Sequence, residues 1–211
     1  MPETMQTIVA RRTTRNFSSI LPDRESMDNV LLAAALAPFG GATGIPLRDI
    51  RRIFVFAPYS QAREKAVKSL YGSIRKNARV IRWLLRMVPF LRRKMGVFSA
   101  RLDLISEKGI PGFERGTYYV VVAEKKGFPP VGRQSLAHAM QNMWLTATDK
   151  GLGFQLVSAT GIMSKNRAFM ELLGLSPGEY DLDGCLIGYP GNEPVAKKDD
   201  KLCEIVTWID N

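Results

Sequence analysis

The sequence predicts an α+β fold, with short strands separated by helices around a central sheet. Apolar runs of strand length occur at residues 52–57, 117–123, 154–157, 185–189 and 202–209, giving about five strands at the usual strand length. Between them lie stretches with helical periodicity, and that alternation of element types sets the class. The 211 residues are 45% hydrophobic and 24% charged, enough for a substantial core. Residues 1–211 read as a single domain, with a basic helical lid or insert at about 60–115.

The elements follow in order. Met5 to Val9 is an amphipathic start. Ser26–Leu36 reads as a helix with Ser26 as its N-cap, an apolar face through Met27, Val30, Leu31, Ala34 and Ala35, and Pro38 as its stop. Gly40 to Gly44 is a flexible loop. Arg52–Ala57 is a buried strand stopped by Pro58, and Ser60 opens a helical region that should break at Pro89. Gly109–Gly116, with Pro111 inside, is a loop, and Thr117–Ala123 is the strongest strand signal. Gly132–Lys150 reads as a long helix that is apolar around most of its circumference, so burial on all sides is expected, in a core or against a partner. Phe154–Val157, a short helix over Lys165–Leu173, a strand at Cys185–Tyr189 and a terminal strand at Leu202–Ile209 complete the order.

Composition excludes several chemistries. One histidine, His138, leaves little material for a His-rich metal site or a Ser-His-Asp relay, and His138 reads as a packed interface residue. Cys185 and Cys203 lack metal-ligand spacing and are expected to be reduced thiols. With no secretory signal pattern and no apolar run of bilayer length, the expected address is cytoplasmic.

The candidate binding feature is Arg11-Arg12-Thr13-Thr14-Arg15-Asn16-Phe17. Three guanidiniums and two hydroxyls within five residues suit a phosphate monoester, which needs forked cationic donors and short hydroxyls. The competing reading is a helix end whose basic residues answer the macrodipole.

Taken together, several segments resemble the nitroreductase-like flavoproteins. They are the Arg-Arg-Thr-Thr-Arg-Asn-Phe opening, the helix ending Ala35-Leu36-Ala37-Pro38, the helix Ser135–Ala147 with its exit Lys150-Gly151-Leu152-Gly153, the run Leu172–Leu175, and Leu186-Ile187-Gly188-Tyr189-Pro190. The resemblance spans nearly the whole chain except roughly residues 60–115. It implies a mixed, mostly antiparallel sheet in an intertwined homodimer, with the C-terminal strand exchanged and FMN bound in the interface clefts. It also implies that Arg11, Arg12, Thr13 and Arg15 hold the FMN phosphate and ribityl chain. Ser158, Ala159, Thr160 and Gly161 would present backbone donors near flavin N5, and Lys197 and Lys198, with Lys201, would give a second phosphate contact. One departure stands out. Where the family carries serine, asparagine and glutamine against the flavin ring, this chain has Phe39, Ala42 and Gly44. Either backbone groups of Gly40, Gly41 and Thr43 replace them, or the ring edge is held differently, or the flavin is weakly bound or absent.

The implied activity is an oxidoreductase that takes hydride from NADH or NADPH through flavin N5 and passes it to a nitroaromatic, quinone or similar small-molecule acceptor in a ping-pong scheme. The alternative is a non-redox, flavin-binding or regulatory homodimer. The net charge of +10 comes from residues 63–101, which carry twelve Lys or Arg and one acid, Glu64. Arg75, Arg79, Arg82 and Arg86 share one helical stripe opposite Val80, Ile81, Leu84, Leu85 and Val88, with Trp83 on the flank. Three readings stand for this segment: a solvated lid face, a funnel for anionic substrates, or contact with a membrane surface or nucleic acid. Nucleic acid is not an expected partner, and membrane contact is the lesser alternative.

Overall fold

The computed structural model describes residues 2–39, 45–192 and 206–209. Among them the elements are α1 (Glu3–Ala10), α2 (Arg24–Ala35), α3 (Leu47–Ile50), β1 (Arg51–Phe56), α4 (Gln61–Met87), α5 (Arg92–Lys108), β2 (Tyr118–Lys125), α6 (Gly132–Asp149), β3 (Gly153–Leu156), α7 (Arg167–Leu172) and β4 (Tyr180–Gly188). Short 3₁₀ turns cover Pro89–Leu91 and Ser158–Lys165.

The sheet has four strands in the order β1-β2-β4-β3, and every pair is antiparallel. It thus has one strand fewer than expected among the described residues, and no parallel strand pair. Residues 206–209 form no strand in the single chain, and 202–205 lie outside the described residues, as do Gly40, Gly41, Ala42, Thr43, Gly44, Lys197, Lys198, Lys201 and Cys203. Cys185 is a buried free thiol.

β2 is apolar at nearly every position because both of its faces are covered. Tyr119, Val121 and Ala123 pack with Ala66, Leu70 and Ile74 of α4 and with Phe169 and Met170 of α7. Val120 and Val122 pack with Met27 and Val30 of α2 and with Ala139, Met140 and Met143 of α6. β4 continues both layers, with Leu182 and Leu186 on the first side and Cys185 and Ile187 on the second.

Capping sets the helix starts. The N-cap of α2 is Asp23, not Ser26: the Asp23 carboxylate accepts from the Ser26 amide at 2.8 Å, so Ser26 sits in the first turn. That bond holds the Asp23 carboxyl below its usual range. Ser60 caps α4 by accepting from the Arg63 amide at 3.2 Å, and α4 gives way to a 3₁₀ turn at Pro89. Burial of α6 is one-sided in the single chain. Ser135, Leu136, Ala139, Met140, Met143 and Ala147 are buried, while Ala137, His138 and Gln141 are exposed. β4 begins five residues earlier than its apolar run, at Tyr180, because Leu182 supplies the alternation through Asp181 and Asp183.

A buried ion pair ties the sheet to the end of α2. Arg51 lies directly across from Glu124 in the β1–β2 register, with both side chains 1% exposed and Nε 2.5 Å from the carboxylate. Nη1 of Arg51 donates to the Ala34 and Ala37 carbonyls at 2.6 and 2.7 Å, closing the C-terminus of α2. Burial pushes the Glu124 carboxyl above its ordinary range while Arg51 pulls it back. Removing the cation strands both a buried carboxylate and two helix-end carbonyls. Arg51→Met is therefore expected to lower unfolding free energy by about 3–5 kcal/mol. Glu124→Gln should cost clearly less, because Arg51 keeps its carbonyl partners. Urea denaturation of both variants checks the asymmetry.

Candidate functional site

β3 is one of the two edge strands, and its free edge is covered by the chain's own N-terminal segment. Thr13 bridges Phe154 in parallel, and the Thr14 amide donates to the Phe154 carbonyl at 3.0 Å. Farther along, Phe17 bridges Pro190, the Ser18 amide donates to the Tyr189 carbonyl at 2.9 Å, and the Gly191 amide donates to the Asn16 carbonyl at 2.9 Å. Residues 13–18 thus form a strap laced to β3 and to the end of β4. Hydrogen-bond complementarity assigns the nitrogen of the Gln155 side-chain amide, buried beneath it, toward the carbonyls of Thr14 (3.0 Å) and Pro111 (3.2 Å). The fit is close: a Cβ at Gly153 would come within 2.7 Å of the Thr14 side chain.

The strap fixes the cationic cluster beside α6. The Arg11 guanidinium stacks over Trp144 at 4.2 Å from the ring centroid, and Trp144 in turn stacks on Phe154 at 5.0 Å. Trp144 Nε1 donates to the Arg12 carbonyl at 3.0 Å. Arg12 itself answers the helix end, its Nη1 donating to the carbonyls of Val9 and Arg11. The helix-end reading holds for Arg12, which closes α1, while Thr13 and Arg15 are exposed on the strap.

At its other end β3 leads directly into the turn Ser158–Lys165. Thr160 is turned inward. Its hydroxyl shares a 2.8 Å hydrogen bond with buried Tyr119, and its amide donates to the Val157 carbonyl at 2.8 Å. Ser158 and Ala159 carry the amides that precede this first bond of the 3₁₀ turn. Ser158 and Gly161 are exposed and line a cleft of about 940 Å³ with Lys126, Arg133, Lys165 and Asp183. Burial pushes the Asp183 carboxyl above its ordinary range against the opposing Gly184 amide.

The structure brings the segment with Arg11, Arg12, Thr13 and Arg15 alongside β3, where Thr13 meets Phe154, and places Ser158, Ala159, Thr160 and Gly161 in the turn that follows the strand. Gly40, Gly41, Thr43, Lys197 and Lys198 lie outside the described residues. Three residues that position the site were not among the candidates: Trp144, Gln155 and Tyr119. Trp144 carried a signal, since an indole N–H on an apolar helix needs a partner. Gln155 and Tyr119 look like ordinary strand residues, and nothing local marks them.

The nitroreductase family model matches residues 8–189. The chain belongs to the nitroreductase family. Its fold is shared with an FMN-bound nitroreductase from Bacteroides fragilis NCTC 9343 at 18% identity, with full coverage of both chains and a TM-score of 0.70. An FMN-bound nitroreductase from Desulfitobacterium hafniense DCB-2 aligns at 19% identity, again over the whole of both chains, with a TM-score of 0.69. A BluB-like flavoprotein from Clostridium difficile 630 gives 21% identity, full coverage and a TM-score of 0.69. No curated protein matches the sequence. Within this nitroreductase-family chain, the match begins three residues before the cationic cluster and ends at Tyr189, the residue that receives the strap at Ser18.

The Tyr119–Thr160 bond gives a direct test of how the turn is held. Tyr119→Phe leaves a buried hydroxyl without its partner and is expected to cost about 1–3 kcal/mol. Combining it with Thr160→Val removes both polar groups and should recover part of that loss. Thermal and urea melts of the two single variants and the double variant check this.

Proposed function

We propose that this family member is an FMN-dependent oxidoreductase that draws electrons from NADH or NADPH and works as a homodimer. The observation that carries the reading is the strap along β3, which holds the segment of the Arg11–Arg15 cluster beside the strand while Ser158 and Ala159 stand in the turn that follows it. A phosphate at the cationic end and a polar ring edge at the amide end suit this donor set. FMN bound there would supply a two-electron carrier between the nicotinamide and a small acceptor such as a nitroaromatic or quinone.

The chain's own residues do the rest. Arg11 and Arg15 would grip the phosphate, with Trp144 keeping the Arg11 guanidinium flat and in place. Thr13 would add a hydroxyl donor. Thr160, committed to Tyr119, keeps the turn seated on the sheet so that the Ser158 and Ala159 amides have fixed directions. Lys197 and Lys198 are assigned a second phosphate contact, and Gly40, Gly41 and Thr43 backbone contacts to the ring. The exposed row Ala137, His138 and Gln141 on α6 is the face assigned to the second copy.

A second reading, a flavin-binding dimer without turnover, is favoured by one feature: Phe39, partly exposed after α2, stands where a polar ring contact is usual in the family. Anaerobic spectroscopy separates the two. Protein purified with FMN should be yellow and bleach on adding NADH or NADPH. Flavin that binds and never bleaches supports the second reading, and protein that takes up no FMN contradicts both. Arg11→Ala or Arg15→Ala is expected to weaken FMN binding by about tenfold or more, measured by flavin fluorescence titration.

A further inference from the structure

The helical hairpin α4–α5 carries a surface that the flavin reading does not use. From Lys65 to Leu102 the sequence has eleven Lys or Arg and no acid. Arg63, at the start of α4, belongs to the interior: it donates to the Thr117 and Phe113 carbonyls and is 3% exposed. The excess cations therefore lie farther along, toward the hairpin's far end.

α4 packs on the sheet through Ala66, Leu70 and Ile74. Beyond Ile74 it runs thirteen more residues to Met87, roughly 20 Å of helix past the last contact with that core. There it is held mainly by α5, with Leu85 buried, Arg82 paired to Asp103 and Arg92 Nε donating to the Leu85 carbonyl at 3.3 Å. Val80 does not join the buried side as the helical wheel suggests. It is exposed, and with Trp83 and Met87 it forms a stripe at spacings of three and four beside the stripe of Arg79, Arg82 and Arg86.

The tip is bulky and apolar while fully open. Trp83 is 62% exposed, Met87 62%, Phe90 72%, Val97 88% and Phe98 53%. All five lie within about two helical turns of the 3₁₀ turn that joins α4 to α5. Exposed Arg79, Arg86, Arg92, Arg93, Lys94 and Arg101 rim them. Large apolar groups are not left in water in such a cluster without a partner.

We infer that the α4–α5 tip docks the protein on an anionic lipid bilayer, with Trp83, Met87, Phe90, Val97 and Phe98 entering the headgroup boundary and the rimming cations meeting lipid phosphates and carboxylates. Charge complementarity selects a polyanionic partner. The apolar tip then selects a bilayer over nucleic acid, because Val97 and Met87 offer no ring for base stacking, whereas aliphatic and aromatic side chains above a basic collar suit an interface. No described helix is long and apolar enough to cross a membrane, so the contact is peripheral.

The test uses the full-length protein and sedimentation with phosphatidylcholine vesicles containing or lacking 30% phosphatidylglycerol. Binding should favour the anionic vesicles at least tenfold and fall steeply between 50 and 500 mM salt. Each cation at the surface contributes about fivefold, so Arg92→Gln/Arg93→Gln should weaken binding at least tenfold. Phe90→Ser/Phe98→Ser, which keeps every charge, should weaken it at least fivefold, with far-UV circular dichroism unchanged. For the unaltered protein, brominated lipid should quench tryptophan fluorescence. The quenched component should vanish in Trp83→Leu, which separates Trp83 from Trp144 and Trp208. Absence of vesicle binding, equal binding to neutral vesicles, undiminished binding by the serine variant, or tighter binding to DNA than to anionic vesicles would each overturn the inference.

Discussion

The outer edge of β3 has to be paired, and what pairs with it is the chain's own N-terminal strap. An open strand edge exposes unpaired amides and carbonyls and invites association with other chains. Here the Thr14 amide closes on Phe154, and Asn16 and Ser18 close on the residues after β4. The same bonds fix the backbone of the segment that carries the three guanidiniums and two hydroxyls. The segment that covers β3 is also the segment that carries the cations.

The rest of the molecule makes that edge rigid. Both faces of β2 are buried, so the sheet cannot shift against its helices without opening a well-packed interior. Three buried polar arrangements then attach the irregular segments to it. Arg51 joins Glu124 to the end of α2. Arg63 holds the 113–117 loop through the Phe113 and Thr117 carbonyls. Tyr119 anchors the turn after β3 through Thr160. Each places a polar group where burial without a partner would be costly, which favours one arrangement over near alternatives.

Much of this was legible in the sequence because periodicity and punctuation are local. The apolar run of β2, the Ser60 cap, the stop at Pro89 and the family likeness of the opening cluster all show in neighbouring residues. What was not legible depends on distant partners. The cap of α2 is a local exception: the Ser26 amide donates to the Asp23 carboxylate three residues back, so Asp23 and not Ser26 starts the helix. Asp181 and Asp183 hide the first half of β4, whose strand character comes from pairing with β2. Val80 looks like a core residue on a helical wheel, but past Ile74 only Ala78 and Leu85 of α4 are buried. α6 is apolar around most of its circumference, yet one row of it faces outward in the single chain.

The molecule thus presents two separate cationic features. One is ordered by the sheet and set beside aromatic rings, and the other stands on a projecting hairpin among exposed apolar groups. For the first, the role proposed is a phosphate grip. The measurement that tests this most directly compares FMN with riboflavin, which differs by the phosphate alone, in equilibrium fluorescence titrations of the purified protein. FMN should bind at least a hundredfold more tightly, with the difference shrinking as salt is raised. Equal affinity for the two flavins would contradict the account.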